Sequence, residues 1–323
     1  MGSTTGIEWT DRTFNPWRGC AKIAAGCANC YAARDSRKNP AILGSWAPGA
    51  PRVVAPDKYW AQLDAWDREA KYRGDPLLVF CASMADVFED NSGHLVTTKG
   101  DVVFADQDGR IGPQFTARLA RLKDVRKKLF DEIPLRPKLI FQLLTKRIGL
   151  VPQQLDELGV RSLPTSWIGA SAANHRETIQ AVEGLEAVAD RFALSFLSLE
   201  PLVGPVELGA ILKNRKAPDW VIVGGESAGP GETARPCAIE WIWEIVLVCR
   251  ELGIDCFVKQ LGSFAITENA NLWDLPIGSL EDVGRADAPA AAARLRLQDK
   301  KGGDPFEWPI PVDVREFPIA RSA

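Results

Sequence analysis

Short apolar runs, rich in β-branched and aromatic residues, recur along this chain and limit its fold more than any other feature. Six of them predict strands, over residues 77–82, 139–144, 167–170, 194–199, 220–223 and 256–261. We expect a seventh strand near residues 7–9. Because the runs are almost continuously apolar and do not alternate with polar residues, they are typical of parallel strands covered on both faces.

Segments with helical periodicity lie between these runs. Residues 59–72 place Trp60, Leu63 and Trp66 at helical spacing, and residues 239–252 carry a similar apolar series. The alternation of strand and helix predicts an α/β fold, either a parallel barrel or an open, doubly wound sheet.

Polar residues stand at the C-terminal end of each of the six predicted strands, following the first five and closing the sixth. They are Ser83 and Asp86, Thr145, Lys146 and Arg147, Ser171 and Asn174, Glu200, Glu226 and Ser227, and Lys259 and Gln260. In a parallel barrel these strand ends converge on one face and build the active site, whereas an open sheet uses mainly its switch point. We therefore predict a parallel βα-barrel, a complete or a partial TIM-like one, with the cysteine loop at its C-terminal face.

The length of the chain favours one main domain, since α/β barrels fill 323 residues as a single unit. We predict a barrel over residues 1–277, with an inserted hairpin or flap near 92–113 that contains the turn signal Asp108-Gly109. Residues 278–323 are expected to form a low-complexity linker and a C-terminal tail that wraps the surface.

Composition narrows the class of protein. The net charge of −3 gives no sign of a nucleic-acid partner at the level of the whole chain. Without a secretory leader or an apolar run as long as a membrane span, the sequence predicts a cytoplasmic protein with no membrane contact. In that compartment seven cysteines favour metal binding or burial over a disulfide framework.

Three of the cysteines, Cys20, Cys27 and Cys30, fall within eleven residues in a C-x6-C-x2-C pattern. Three thiolates from one loop are able to hold three irons of a [4Fe–4S] cluster and leave the fourth iron open. A structural zinc site is the second interpretation, and buried or redox-active thiols are the third. The candidates for a fourth zinc ligand are His94, His175 and Cys81. The four remaining cysteines are scattered in apolar contexts typical of a core, at Cys81, Cys237, Cys249 and Cys256.

Motifs spread over nearly the whole chain resemble a known group of proteins. They are Gly6-Ile7-Glu8-Trp9-Thr10, Asn15-Pro16-Trp17, Gly19-Cys20, Gly26-Cys27, Cys30-Tyr31-Ala32, Leu144-Thr145-Lys146-Arg147, Ser198-Leu199-Glu200-Pro201-Leu202, Gly224-Gly225-Glu226-Ser227, Lys259-Gln260 and Gly302-Gly303-Asp304-Pro305. With a cysteine loop followed by a barrel, the chain resembles the radical SAM superfamily, and more closely the phage-associated three-cysteine-motif proteins. A fainter similarity to spore-photoproduct-lyase-type proteins lies in the order Ser83, Asp86, Thr145-Lys146, Ser171 and Pro201.

The resemblance implies a cofactor and a reaction. Three cysteines would bind a [4Fe–4S] cluster, S-adenosylmethionine would chelate the open iron, and an electron from an external reductant would release an adenosyl radical. The phage association of the similar proteins implies modification or repair of a nucleic-acid or nucleotide substrate, and the need for a partner protein is left open.

The sequence departs from the usual radical SAM pattern in its cysteine loop. Six residues, and not three, separate the first two cysteines, and Asn29 stands where an aromatic residue is usual, so that Tyr31 would take over its packing. The Gly-Gly-Glu triplet that ends at Glu226 resembles the motif that binds the SAM amino group. It lies near the fifth apolar run, however, and not after the first strand that follows the cysteines. The segment from Ser83 to Asp86 is therefore better placed for the SAM amino group.

The candidate site residues form three groups. The metal ligands are Cys20, Cys27 and Cys30. The catalytic candidates are Lys146, Glu200 and Glu226. The candidates for cofactor binding are Tyr31, Ser83, Asp86, Ser171 and Lys259.

Each of these groups of residues also has an explanation that involves no ligand and only the structure of the protein. The glycine-rich run over 224–231 either brings the backbone close to a ligand or makes a turn from strand to helix. The basic residues after the strands either bind a carboxylate or phosphate, or form ion pairs with nearby glutamates. Tryptophans near the cysteines either shield a cluster or pack in the core. The basic stretch over 118–128 either touches nucleic acid or forms a solvated helix face.

Two functions from different classes follow. The first is a radical SAM-type iron–sulfur enzyme that acts on a substrate at the barrel mouth. The alternative is a zinc-stabilised module that binds nucleic acid or protein without catalysis. Polar groups at every strand end favour the enzyme, because a scaffold needs no convergent charged mouth.

Overall fold

A seven-stranded parallel sheet, curled into a half-barrel, forms the centre of the molecule. The fold is seen in a computed structural model that describes residues 5–112, 114–273, 280–283 and 292–318. The strands are β1 (Arg12–Thr13), β2 (Leu77–Cys81), β3 (Leu139–Thr145), β4 (Leu163–Ser171), β5 (Phe192–Leu199), β6 (Trp220–Gly224) and β7 (Asp255–Gln260). Their order in the sheet is their order in the sequence.

The structure confirms the parallel α/β fold and the six predicted strands, and it corrects the first strand. That strand is Arg12–Thr13, because residues 7–9 do not join the sheet. Hydrogen bonds between Asp11 and the backbone of Leu78 fix the start of β1 against β2. Trp9, from the predicted strand, instead packs inside the half-barrel.

Helices connect the strands and cover the outer face of the sheet. They are α1 (Tyr31–Ser36), α2 (Pro40–Leu43), α3 (Asp57–Trp60), α4 (Gln62–Arg73), α5 (Leu122–Glu132), α6 (Val151–Glu157), α7 (His175–Glu186), α8 (Leu208–Leu212) and α9 (Ile239–Leu252). The predicted helix over 59–72 is divided between α3 and α4, and the one over 239–252 is confirmed. Gly74 and Gly253 end α4 and α9 in the left-handed conformation that glycine adopts without strain.

Successive side chains along each strand point to opposite faces of the sheet, so each face has its own apolar core. One face of the sheet packs against the helices, as Val79 and Phe141 do. The concave face carries a separate aromatic cluster, formed by Trp9, Phe80, Trp167, Leu194, Phe196, Trp220, Ile222 and Phe257. At Gly169 a Cβ atom would overlap the ring of Phe196, so the cluster needs glycine at that position. The half-barrel is therefore filled with side chains over part of its interior.

Smaller sheets surround the half-barrel. Strands Trp17–Arg18, Arg52–Val54 and Leu95–Val96 form one, and Phe104–Ala105 pairs with Arg118–Leu119. Asp108-Gly109 lies in a turn closed by a bridge between Ala105 and Ile111. The four strands of the third sheet are Cys237–Ala238, Ala265–Thr267, Ala293–Leu295 and Leu280–Asp282. In the predicted linker and tail, residues 278–279, 284–291 and 319–323 lie outside the described residues, as does Pro113 of the predicted insertion.

The C-terminal tail covers the edge of β7. Val258 N donates to Val314 O at 2.7 Å, and Glu316 N donates to Cys256 O at 2.8 Å. Trp220 Nε1 donates to Glu316 O, and the ring of Phe317 packs on Trp220. Because the tail satisfies backbone groups of an edge strand, it protects that edge from pairing with another chain. Among the residues that the structure describes, no helix has the length and apolar character needed to cross a membrane.

Candidate functional site at the strand ends

Polar side chains gather beyond the aromatic cluster, where the parallel strands end. Ser171 closes β4 with the same parity as Trp167, so both face the concave side. Lys146 Nζ donates a hydrogen bond of 2.6 Å to Ser171 Oγ. Next to them, Lys259 forms an ion pair with Glu200. The structure thus brings together four of the predicted site residues. Two of them, Lys259 and Glu200, form an ion pair, as the structural interpretation of the basic residues expected.

Asp86 organises the turn that follows β3. One carboxylate oxygen accepts from Thr145 Oγ1 at 2.7 Å. The other accepts from Lys146 N at 3.1 Å and from the Arg147 guanidinium at 2.9 Å. Since Asp86 is buried and both oxygens accept hydrogen bonds from this turn, its contacts fix the direction in which Lys146 and Arg147 leave the strand.

Arg147 connects this turn to the first cysteine. Its guanidinium donates to Ala21 O at 2.9 Å and lies 3.7 Å from Cys20 Sγ. Burial raises the pKa of the Cys20 thiol to about 12, and the charges of Asp86 and Glu89 add to this rise, while Arg147 opposes it. The Cys20 thiol therefore lies beside a cation that opposes the effect of burial on its pKa.

Residues 20–30, which we call the cysteine segment, contact side chains that follow several strands. A Cβ atom on Gly26 would lie 3.1 Å from Pro201 Cδ, 3.4 Å from Ala173 Cβ and 3.5 Å from Lys146 Cε. Such close approach favours glycine at position 26, directly before Cys27. Ala25 N donates to Glu177 Oε1 at 2.9 Å, which ties the segment to the first turn of α7.

The glycine-rich loop, residues 224–235, contacts the same segment. Glu226 is buried and pairs with Arg235 through both carboxylate oxygens. Asn29 Nδ2 also donates to Glu226, at 2.9 Å. Burial alone would raise the pKa of Glu226, but hydrogen bonds from Arg235 and Asn29, with the charge of Arg235, outweigh it and lower the pKa. Glu226 is thus an ionised carboxylate whose contacts are within the protein.

Tyr31 and Ser83 also meet. Tyr31 is the first residue of α1, directly after Cys30, and its hydroxyl donates to Ser83 O at 2.7 Å. Asn15 holds Ser83 from the other side, since its amide donates to Ser83 Oγ at 3.1 Å. Two predicted cofactor-binding residues are therefore neighbours at the C-terminal end of the cysteine segment.

The three thiols of the segment differ in exposure. Cys20 is buried, whereas Cys27 and Cys30 are partly exposed, and all three are free. Over the described ranges, no three side chains of His, Cys, Asp or Glu lie close enough together to hold a metal ion. The remaining cysteines are buried, as their apolar contexts predicted: Cys81, Cys237, Cys249 and Cys256.

A cleft opens beside the cysteine segment. Its volume is about 420 Å³, and it is lined by residues 22–25 and by Asn174, Arg176 and Glu177 of the α7 N-terminus. Asn174 caps the helix by accepting from Glu177 N at 3.0 Å. Residues 22–25 of the segment are therefore accessible to solvent through this cleft.

Sequence reasoning missed the residues that fix the cysteine segment. Arg235 and Glu177 act on the segment across long sequence separations, and neither stands in a pattern that marks it. Asn29 was noted only as a departure from the usual aromatic residue, and its contact with Glu226 was not foreseen. The basic stretch over residues 118–128 was easier to interpret from the sequence. Arg118 pairs with Asp124, and protein partners are also found for Arg121, Arg126, Lys127 and Lys128. These contacts favour a structural role for the stretch, but Arg126 is buried and therefore not part of the expected solvated face.

Comparison with known proteins identifies a family. The sequence model of a family described as "Protein of unknown function (DUF5131)" matches residues 4–103 and 115–306. No curated protein and no solved structure matches the chain significantly. The matched ranges include the cysteine segment, the half-barrel strands and the glycine-rich loop, so these features belong to one family unit.

Proposed function

The chain belongs to the DUF5131 family, and we propose that it is an iron–sulfur enzyme of the radical SAM type. The observation that carries the proposal is the contact of a three-cysteine segment with polar residues that follow the parallel strands. Gly26 lies against Lys146, and Arg147 lies against Cys20. A structural metal knuckle needs no such neighbourhood, whereas a catalytic centre in a parallel barrel is built from these strand ends.

The donor chemistry of the segment fits a [4Fe–4S] cluster with one open iron. Cys20, Cys27 and Cys30 would hold it as thiolates, the ligands that such clusters take. Arg147 offers a cation beside the Cys20 sulfur, which favours the thiolate form. Binding has to bring the three thiols together, and ligand deprotonation would release protons as it does so. The group would supply one-electron chemistry on S-adenosylmethionine.

The chain's own residues would bind and orient the reactants. Lys146, whose amine contacts the neutral Ser171 hydroxyl, offers a positive charge to a carboxylate. The Glu200 and Lys259 pair presents a carboxylate and an amine side by side. Tyr31 and Ser83, which contact each other at the end of the segment, would contribute from there. Behind these groups the buried aromatic cluster excludes water, which strengthens polar contacts near it.

Three finer statements belong to the same proposal. We propose that the cysteine segment covers the C-terminal end of the half-barrel and that this half-barrel is a partial TIM-like barrel. The resemblance to phage-associated proteins supports a nucleic-acid or nucleotide substrate, with an external reductant and, where required, a partner protein. A cytoplasmic setting is part of the same proposal, and the seven free cysteines agree with it.

Anaerobic purification followed by iron, sulfide and zinc analysis tests the proposal. We expect about four irons and four sulfides per chain. The variant Cys27→Ala should lose this iron, while Cys249→Ala, which removes a buried thiol on α9, should retain it. Stoichiometric zinc without iron would overturn the proposal and favour the zinc-stabilised binding module.

A second assay tests the chemistry. The reduced protein is mixed with S-adenosylmethionine, and 5′-deoxyadenosine or another cleavage product is measured by chromatography. We expect release by the wild-type protein and none by Cys27→Ala. An iron-loaded protein that leaves S-adenosylmethionine intact, with and without nucleic acid, would contradict a radical SAM activity.

A further inference from the structure

The glycine-rich loop holds the cysteine segment on both sides of Cys27. Arg235, paired with Glu226, also donates to Ala25 O at 2.9 Å. Asn29 Nδ2 donates to Glu226 and, at 3.1 Å, to Thr233 O. One ion pair on the loop, with a buried carboxylate, therefore fixes Ala25, two residues before Cys27, and Asn29, directly before Cys30.

The chemistry of this contact makes it strong and specific. Hydrogen bonds in which one partner is ionised are shorter and stronger than those between neutral groups. Glu226 is 3% exposed and accepts from Asn29 as well as from the side chain and backbone N–H of Arg235. Removing Arg235 would leave a buried carboxylate without its cation, which is costly.

A second contact joins the same loop to α1. Arg34 of α1 pairs with Glu232 at 2.6 Å. Gly229 permits this approach, because a Cβ atom there would overlap the Arg34 guanidinium. Glu232 also accepts from Gly229 N at 3.1 Å. The loop is thus attached to the helix that follows Cys30, independently of the pair between Glu226 and Arg235.

We propose that Arg235 is a positioning residue for the metal site, acting through Glu226, Ala25 and Asn29. The proposal rests on the proposed function, because it assumes a metal centre on the three cysteines. A loop that is already fixed in place loses fewer conformations when its ligands bind a metal, so binding is tighter. Arg235 therefore restricts the backbone on both sides of Cys27 without touching the metal, while the three thiols still have to move together when the metal binds.

The test compares Arg235→Gln with the matched control Arg118→Gln. In both pairs the arginine side chain is about one-third exposed and the carboxylate is nearly buried: 28% and 4% for Arg235 and Glu226, 32% and 4% for Arg118 and Asp124. Arg118 pairs with Asp124, on the strand and helix before β3, and not with the cysteine segment. A general cost of losing an ion pair therefore affects both variants alike.

The first measurement is amide hydrogen exchange of residues 20–37 in metal-free protein. We expect exchange in this range to be about tenfold faster in Arg235→Gln, since a tenfold change corresponds to one charged hydrogen bond of ordinary strength. Arg118→Gln should match the wild type there. The double variant Glu226→Gln/Arg235→Gln, which removes both charges, should recover part of the protection. Unchanged exchange in Arg235→Gln would overturn the proposal.

The second measurement is the rate at which iron leaves the reconstituted protein for a chelator. Loss should be roughly 10- to 100-fold faster in Arg235→Gln, the usual effect of removing a group that supports metal ligands. Melting temperatures should be equal in Arg235→Gln and Arg118→Gln. Faster exchange with unchanged iron loss would overturn the positioning role. If wild-type protein binds no iron, the proposed function fails, and the role of Arg235 at a metal fails with it, while the exchange data still decide whether Arg235 holds the segment.

Discussion

Arg315 NH1 lies 3.0 Å from Glu8 Oε1, and this ion pair joins the two ends of the half-barrel. Glu8 precedes β1, whereas Arg315 belongs to the tail that runs along β7. The guanidinium also stacks over the rings of Phe257 and Trp308. Arg315 therefore connects the tail to the open side of the sheet by packing as well as by charge.

Removal of Arg315 should lower the free energy of unfolding more than removal of Glu8. Glu8→Gln loses only a partly exposed ion pair, and we expect the free energy of unfolding to fall by less than about 1 kcal/mol. Arg315→Ala also loses two ring contacts, each worth about 0.5–1 kcal/mol, so it should cost about 1–3 kcal/mol. Urea denaturation of the two variants measures this difference. Equal losses would mean that the ring contacts contribute nothing.

Gly169 should not tolerate a methyl group. Because a Cβ atom would overlap the ring of Phe196, Gly169→Ala should destabilise the protein by about 1–3 kcal/mol, the usual cost of overpacking. The control is Gly149→Ala, since no atom lies within 4 Å of a Cβ at that site and its φ is not positive. Thermal unfolding should give a lower melting temperature for Gly169→Ala alone. A neutral Gly169→Ala would mean that the concave core is not close-packed.

The stabilisation by Glu226 should depend on pH. Its pKa is lowered because hydrogen bonds from Arg235 and Asn29 outweigh the opposing effect of burial. A carboxyl group whose folded pKa is depressed stabilises the fold above its unfolded pKa, and this stabilisation is lost as the pH falls through the folded pKa. The difference in unfolding free energy between wild type and Glu226→Gln should therefore shrink below about pH 4.3.

Denaturation at a series of pH values measures this difference. Glu251→Gln, at an exposed position of α9, serves as the control and should give a small difference at every pH. A difference for Glu226→Gln that stays constant down to about pH 3 would contradict an ionised, paired carboxylate.

Lys146 should contribute to the binding of S-adenosylmethionine. Its amine contacts a hydroxyl, and Gly26 of the cysteine segment lies close to its side chain. Lys146→Gln removes the charge, and we expect about tenfold weaker binding, the loss that corresponds to one charged hydrogen bond. Equilibrium dialysis with iron-loaded protein measures it. Lys123→Gln, at an exposed position of α5, should bind as the wild type does. If Lys146→Gln binds S-adenosylmethionine as tightly as the wild type does, Lys146 does not contribute to the binding site.

Much of the fold followed from the sequence because its signals are local. The near-continuous apolar character of β2 to β7 predicted parallel strands covered on both faces, and the structure has them. The short β1 was missed because two residues carry too weak a pattern, and its position depends on hydrogen bonds to Leu78. For the same reason the structure, and not the sequence, identified the tail as the cover of β7.

The candidate site divides in the same way. Residue type and position at the C-terminal end of a strand identified Lys146, Ser171, Glu200 and Lys259, and the structure brings them together as two contacting pairs. Nothing in the spacing of Glu226 and Arg235 indicates that they pair, or that they hold residues about two hundred positions earlier.

The sequence by itself determined the parallel strands, the buried cysteines and the polar strand ends, because hydrophobic periodicity and residue type express burial directly. Tertiary structure alone decided the partners: Glu226 with Arg235 and Asn29, Asp86 with the turn after β3, and Arg315 with Glu8. A hydrogen bond or ion pair depends on positions a few ångströms apart, and only the folded chain brings distant residues to that distance.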